Sequence, residues 1–378
     1  MQHDIHELLA RLPGTARQIH SFSYGPTGAG KVYIQASLHA DELPGMLVAW
    51  HLRQRLAELE DAGLLRQQVV IVPIANPAGL DQIVMDTPLG RYELETGENF
   101  NRRFVDLADQ VGCAVEPLLG DDEARNTALI RTHLSQALNQ LQPSTALQSQ
   151  RLTLQRLACD ADMVLDLHCD FEAVQHLYTT PEAWPLVEPL ARYLGAQASL
   201  LATDSGGQSF DECFSLFWWQ LQQRFAERFP IAMGSFSVTV ELRGQGDVNH
   251  PMASGDCQAI LDYLASTGAI DRTPAPLPAL LAAATPLAGV EPVTAPVGGL
   301  LVFTAVPGQY LEAGQLIAEI IDPLSNTVTP VRNRQPGLMY ARSLRRMATA
   351  GMLVAHVAGG LPQRLSTSTL RTCCACTN

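Results

Sequence analysis

His39 and Glu42 combine two residue types that bind metals with a spacing that suits a shared ion. Apolar residues alternate through 32–38, which predicts a strand, and a helical pattern begins near Pro44. His39 and Glu42 therefore fall in a turn between a strand and a helix. Open α/β sheets bind ligands beyond the carboxyl ends of their strands, so this imidazole and this carboxylate could converge on one ion.

Two further polar residues occupy the same kind of position, directly after a predicted strand. His168 follows the apolar run 163–167, and Glu241 follows the run 236–240. Taken singly, His168 is also consistent with a hydrogen-bonded histidine near a sheet edge, and Glu241 with an exposed carboxylate. The recurrence of polar residues at the ends of three strands favours a shared site.

The elements that must position these residues predict an α/β fold. Strand and helix patterns alternate to about residue 270, which indicates a mainly parallel central sheet flanked by helices in a domain of residues 1–272. Segment 273–292 is rich in Pro and Ala and is predicted to be a linker. Residues 293–360 predict a small all-β domain that resembles a biotinyl/lipoyl-type barrel, with the run 293–320 corresponding to half of one, and it has no lysine to carry either cofactor. The Cys-rich tail 361–378 is expected to be disordered.

Composition restricts the partners and the chemistry. The 378 residues are 47% apolar, enough for a full core and two domains, and the formal net charge of -13 opposes binding to nucleic acid or to acidic membranes. No long apolar run and no signal-peptide pattern occur, so a cytoplasmic protein is expected. Lys31, the only lysine, opens a predicted strand, which excludes a P-loop, and serine hydrolase and dinucleotide motifs are also missing. Metal-dependent hydrolysis is the chemistry that remains.

Several short motifs together resemble the succinylglutamate desuccinylase/aspartoacylase family, a branch of the zinc carboxypeptidase superfamily. They lie between roughly residues 20 and 270 in the family's order and are His39-Ala40-Asp41-Glu42, Asn76-Pro77-Ala78-Gly79, Asn101-Arg102, Asp166-Leu167-His168 and Thr239-Val240-Glu241. The chain departs from the pattern in two places. Glu98-Asn99-Phe100 precedes Asn101 where many relatives have an acidic residue and leucine, and Arg91 lies farther from Asn101 than is usual.

This resemblance implies a zinc carboxypeptidase-like fold and one Zn²⁺ per chain. His39, Glu42 and His168 would bind the ion and leave one position for water. Glu241 would be the general base that takes a proton from the water and returns it to the departing amine. Asp166, two residues before His168, is expected either to orient that histidine or to cap a neighbouring loop.

The resemblance also implies roles for three loop residues. Arg91, with the zinc, would stabilise the developing oxyanion, while Asn101 and Arg102 would bind a substrate carboxylate. Solvated loop charges are the alternative interpretation of the two arginines, and the motif position favours a functional role for Arg102.

We therefore predict a zinc-dependent amidohydrolase that acts on a small-molecule N-acyl amino acid or a similar amide. A zinc metallocarboxypeptidase acting on small peptides is the nearest alternative, because it would use the same metal and base. A non-catalytic zinc-binding protein is the third. Nucleic acid and membranes are not expected partners, and a homo-oligomer is possible because a β domain has edges that can pair.

Overall fold

The structure, a computed structural model, describes residues 1–359. Its strands in chain order are β1 (Gln2–Glu7), β2 (Gln18–Tyr24), β3 (Lys31–Ala36), β4 (Gln68–Val72), β5 (Ile83–Val84), β6 (Thr87–Pro88), β7 (Met163–Asp170), β8 (Glu172–Ala173), β9 (His176–Thr179), β10 (Ala198–Leu201), β11 (Phe236–Gly244), β12 (Thr285–Pro286), β13 (Val290–Thr294), β14 (Gly299–Phe303), β15 (Tyr310–Leu311), β16 (Leu316–Asp322), β17 (Thr327–Arg332), β18 (Gly337–Arg342), β19 (Met347–Ala348) and β20 (Leu353–Ala358). The α-helices are α1 (Pro44–Asp61), α2 (Pro77–Leu80), α3 (Ala108–Val115), α4 (Glu123–Gln140), α5 (Ala146–Ala158), α6 (Trp184–Leu194), α7 (Glu212–Phe225) and α8 (His250–Ser266).

Several helices begin at short polar side chains that satisfy free N–H groups of the first turn. Asn76, Asp122, Thr145 and Asn249 precede α2, α4, α5 and α8, and each accepts a hydrogen bond from the backbone N–H three residues later. Helix α1 lacks such a side-chain cap and begins instead with Pro44, whose fixed φ suits the first helical position. These local signals fix where the chain leaves its strands and enters its helices.

The first of two compact units comprises Met1–His168, Gly207–Thr239 and Asn249–Pro276. Its strands have the order β1-β2-β4-β3-β7-β11, and β3 is parallel to both β4 and β7. Strands β3, β4 and β7 are almost entirely buried, as expected for parallel strands covered on both faces. Because β3 and β7 are parallel neighbours, the residues that follow them lie at the same edge of the sheet.

The second unit comprises Cys169–Gly206, Val240–Val248 and the chain from Leu277 onward. Its strands β11, β9, β10 and β12 are consecutive in sheet order, with β10 parallel to β9 and to β12. Two antiparallel sheets follow, with the orders β13-β20-β18-β15 and β17-β16-β14-β19. Strand β8 pairs with β18, so a short segment that follows β7 joins one of these sheets.

The predicted α/β class with a C-terminal β region is confirmed, since a large, mainly parallel sheet with helices is combined with antiparallel sheets in the C-terminal region, whereas the zinc carboxypeptidase-like architecture stays a prediction. The second unit groups Cys169–Gly206 and Val240–Val248 with the strands that follow Leu277, and the pairing of β8 with β18 lies within it. The domain boundaries stay predictions, and the tail 361–378 lies outside the described residues. Among the helices of residues 1–359, none combines the length and apolar character of a membrane span.

Candidate metal centre

His39 and Glu42 lie in the turn that joins β3 to α1, as the sequence predicts. Strand β3 ends at Ala36, and Ser37 adopts a left-handed conformation with φ of 63° that redirects the chain. The backbone N–H of Glu42 then donates to the carbonyl oxygen of His39 over 3.1 Å, so the turn holds both side chains on one side. Each side chain is only 2% exposed.

His168, near the end of β7, completes a buried cluster with these two residues. His39 Nδ1 lies 2.9 Å from Glu42 Oε1, and His168 Nδ1 lies 2.7 Å from Glu42 Oε2. One ligand atom from each of the three residues lies within 4.8 Å of the other two. Two imidazole nitrogens and a carboxylate oxygen in this arrangement are suited to hold a metal ion.

The second nitrogen of each imidazole contacts a polar partner. His39 Nε2 lies 2.9 Å from Asn99 Oδ1, and His168 Nε2 lies 3.0 Å from Asp166 Oδ2. Metal-binding histidines commonly donate their other N–H to such groups, which fixes the tautomer and the ring orientation. The position of Asp166 agrees with the orienting role considered for it. The sequence analysis assigned no role to Asn99. The only sequence signal for this residue was that the chain departs from the family pattern two residues before Asn101.

The electrostatics of the cluster suit a metal site. Burial, followed by the Arg91 guanidinium, lowers the pKa of His39 to about 4, so this imidazole is neutral near pH 7. Burial opposes the charge on His168, but the carboxylates of Asp166 and Glu42 outweigh it and raise the pKa of His168 well above its ordinary value. Burial likewise opposes the charge on Glu42, and the two imidazoles hold the pKa of Glu42 well below its ordinary value. A metal ion would therefore compete with a proton at His168 and release it on binding.

Arg91 reaches the cluster although it is distant from Asn101 in sequence. Its Nη1 donates to Glu42 Oε1 over 2.8 Å, and its side chain is 15% exposed. The backbone N–H of Phe100 donates to the carbonyl oxygen of Arg91, and Tyr92 forms an isolated β-bridge with Asn99. The loop therefore folds back on itself, and this places the backbone of Arg91 beside Phe100, the residue that precedes the Asn101-Arg102 motif.

Asn101 and Arg102 are both buried, so neither is a solvated loop residue. Asn101 Oδ1 accepts a hydrogen bond from the backbone N–H of Phe210 over 2.8 Å. Arg102 Nη1 donates to the carbonyl oxygen of Asn101, and the Arg102 side chain packs against Gly207. The motif is thus anchored to segment 207–210, and its substrate-binding role stays a prediction.

Glu241 lies in β11, in the part of the strand that belongs to the second unit, and is half-buried. Burial raises the pKa of Tyr178, and Tyr340 and then Glu241 add to the increase. The Glu241 carboxylate therefore lies near the Tyr178 hydroxyl. Tyr178 Oη lies 3.4 Å from Tyr340 Oη. Arg243, two residues after Glu241, has a left-handed φ of 63° and donates to Gln175 Oε1. The role of Glu241 as general base stays a prediction.

The family model for the succinylglutamate desuccinylase/aspartoacylase catalytic domain matches residues 29–267. A solved structure of a protein of this family from Shewanella amazonensis SB2B is 25% identical with a TM-score of 0.83, and covers 95% of this chain and 98% of that chain. A second, from Shewanella frigidimarina NCIMB 400, is 24% identical with a TM-score of 0.83 and covers 97% and 99%.

A more distant solved structure shares the fold. The product-bound ectoine utilization protein EutE from Ruegeria pomeroyi is 16% identical with a TM-score of 0.67, and covers 95% of each chain. No curated protein matches this chain. The family match spans more than half of the chain and includes the three clustered residues. The chain therefore belongs to the succinylglutamate desuccinylase/aspartoacylase family.

Proposed function

We propose that this protein is a zinc-dependent amidohydrolase that removes an acyl group from an N-acyl amino acid or a similar small amide. The observation that carries the proposal is the convergence of His39, Glu42 and His168, whose ligand atoms lie within 4.8 Å of one another. Catalytic zinc sites commonly have three such protein ligands and keep a further position for water or substrate.

Zinc bound at these residues would polarise the scissile carbonyl and lower the pKa of the attacking water to about 7. Glu241 would accept a proton from that water and deliver it to the departing amine nitrogen. Arg91, which already donates to Glu42, would place its guanidinium near the oxygen that gains negative charge. Arg102 would bind the substrate carboxylate through its planar fork, with the amide nitrogen of Asn101 beside it.

A metallocarboxypeptidase is the second candidate, because the same ligands and base would serve while Arg102 bound a peptide's terminal carboxylate. Membership of a family named for desuccinylation and deacylation favours the amidohydrolase. A non-catalytic zinc protein is disfavoured, since structural sites are usually closed by four ligands and the cluster found within residues 1–359 has three. A zinc carboxypeptidase-like fold, a cytoplasmic location and a homo-oligomeric state remain part of the proposal.

The test is release of free amine from N-acetyl, N-succinyl and N-formyl amino acids and from short peptides by the zinc-loaded full chain. Glu241→Gln should keep its zinc and lose turnover by orders of magnitude, whereas His168→Ala should lose both zinc and turnover. Glu116→Gln is a matched control, because Glu116 is a surface carboxylate paired with Arg224 and Arg228. It should behave as wild type.

Each outcome decides between the candidates. Turnover of N-acyl amino acids that disappears in Glu241→Gln supports the deacylase. Cleavage of peptides alone would replace it with the carboxypeptidase. Stoichiometric zinc without turnover of any substrate would favour the non-catalytic protein.

A further inference from the structure

A continuous line of buried polar groups lies behind His168. Tyr33 Oη donates to Gln35 Oε1 over 3.0 Å, and Gln35 Nε2 donates to Asp166 Oδ1 over 3.0 Å. The other carboxylate oxygen of Asp166 lies 3.0 Å from His168 Nε2. All four side chains are buried and lie in the first unit. We refer to Tyr33 and Gln35 as the Tyr33–Gln35 pair.

The sheet register creates this line. Strands β3 and β7 are parallel, and Gln35 is the direct neighbour of Asp166 in the pairing. Side chains alternate between faces along a strand, so Tyr33 and Gln35 share one face of β3, and Asp166 and His168 share one face of β7. Hydrogen bonds can therefore run along β3 and cross to β7 on a single face of the sheet.

A glutamine in this position needs an explanation, because β3 is otherwise a buried strand of apolar and aromatic residues after Lys31. Burying an amide costs free energy unless its donors and acceptors are paired. A leucine or methionine would fill the same volume without that cost. The Gln35 amide instead provides a hydrogen bond to Asp166, whose carboxylate is itself completely buried.

We propose that the Tyr33–Gln35 pair positions His168 for metal binding by fixing the carboxylate of Asp166. Gln35 Oε1 can only accept a hydrogen bond, so it pairs with the Tyr33 hydroxyl, and the amide N–H of Gln35 donates to Asp166. One oxygen of Asp166 is thereby held by Gln35, while the other lies within ion-pair distance of His168 Nε2, at 3.0 Å. His168 Nδ1, which lies 2.7 Å from Glu42 Oε2, is left as the nitrogen that would bind the metal. This inference rests on the proposed metal centre.

Replacing Gln35 should weaken metal binding without changing the ligands. Gln35→Met retains the length and removes both hydrogen bonds, and zinc affinity should fall about tenfold, as is usual when a partner of a metal-binding residue is lost. Tyr33→Phe removes only the hydroxyl, and its effect should be smaller, about threefold. Gln155→Met is a matched control, because Gln155 is a buried glutamine in the same unit that makes two hydrogen bonds to Val105. Its zinc affinity should stay at the wild-type value.

The experiment measures zinc dissociation constants of the full-length variants by competition with a chromophoric chelator, and the visible absorption of the Co²⁺-loaded forms. Weaker zinc binding and an altered Co²⁺ spectrum in Gln35→Met, with neither in Gln155→Met, support the inference. Zinc affinity and a Co²⁺ spectrum equal to wild type in folded Gln35→Met would overturn it. If Gln35→Met does not fold, Tyr33→Phe decides, and wild-type zinc affinity in that variant overturns the inference.

Failure of the metal centre itself has a different signature. Wild type that binds no zinc, or His168→Ala that binds zinc as tightly as wild type, would overturn the proposed function together with the inference. Normal zinc binding by wild type, loss in His168→Ala and no change in Gln35→Met would remove the positioning role alone.

Discussion

Acid should destabilise this protein through His356, a histidine of β20 that is 3% exposed. Its ring stacks on Tyr340 with centroids 5.5 Å apart and an interplanar angle of 16°. Burial lowers the pKa of His356 from 6.5 to about 4, with Asp170 acting in the opposite direction and His176 adding to the decrease. The folded protein therefore holds this imidazole neutral at pH values where an unfolded chain would protonate it.

The sign and size of the effect follow from proton linkage. Between pH 6.5 and pH 4 the unfolded chain binds more protons at His356 than the folded protein does, so stability rises with pH across this window and is lost as pH falls. Each pH unit in the window corresponds to about 1.4 kcal/mol. Lowering the pH from 7 to 4.5 should therefore remove about 2.5 kcal/mol from the free energy of unfolding through this residue.

The assay is urea unfolding of wild type and His356→Phe at pH 7 and at pH 4.5. Phenylalanine keeps the stacking on Tyr340 and cannot be protonated, so the difference between the two pH values should be smaller in the variant by about 2.5 kcal/mol. Comparing the pH-dependent change in the free energy of unfolding between the two proteins cancels the contributions of the other titrating groups and any change in baseline stability. Equal losses in the two proteins would refute the reasoning, because they would place the acid sensitivity elsewhere.

Two further predictions concern the loop that carries the site. In Gly90→Ala the new Cβ would lie 2.3 Å from the backbone nitrogen of Asp41, so the turn that holds His39 must move, and both thermal stability and zinc content should fall. In the control Gly120→Ala the new Cβ would have no neighbouring atom within 4 Å, so zinc content should stay unchanged. Equal zinc content in the two variants would contradict the expectation. Arg102→Lys keeps the charge but loses the planar fork, so it should raise KM for carboxylate-bearing substrates about tenfold and leave zinc content unchanged. Arg103→Lys is the control, because the Arg103 side chain is 71% exposed, and its KM should stay at the wild-type value. An unchanged KM in Arg102→Lys would remove this residue from the substrate site.

The sequence alone located the principal candidates because their positions depend on local patterns. Alternating apolar residues mark the ends of β3 and β7, and parallel neighbours end at one edge of a sheet, so His39 and His168 were expected on the same side. Pro44 and the polar residues after each strand marked the turns. The same patterns predicted a mainly parallel sheet with a C-terminal β region, and both are present.

Interactions between segments far apart in sequence could not be predicted in this way. Asn99 reaches His39 because the loop after Arg91 folds back, and that path depends on long-range packing. The loop anchors at Phe210 through a hydrogen bond across 109 residues. Neither contact leaves a periodic trace in the sequence.

The division of the chain into compact units depends on tertiary structure for the same reason. Pairing of β8 with β18 joins Ala173 to Ala341, and composition alone offered only the Pro/Ala-rich segment 273–292 as a boundary. Gln35 illustrates the limit most clearly. Its sequence context indicates only a buried strand, and its connection to Asp166 appears once the register of β3 against β7 is known. Apolar periodicity determines which face of an element is buried, whereas the hydrogen-bond partner of a buried polar group depends on which strands become neighbours and in what register.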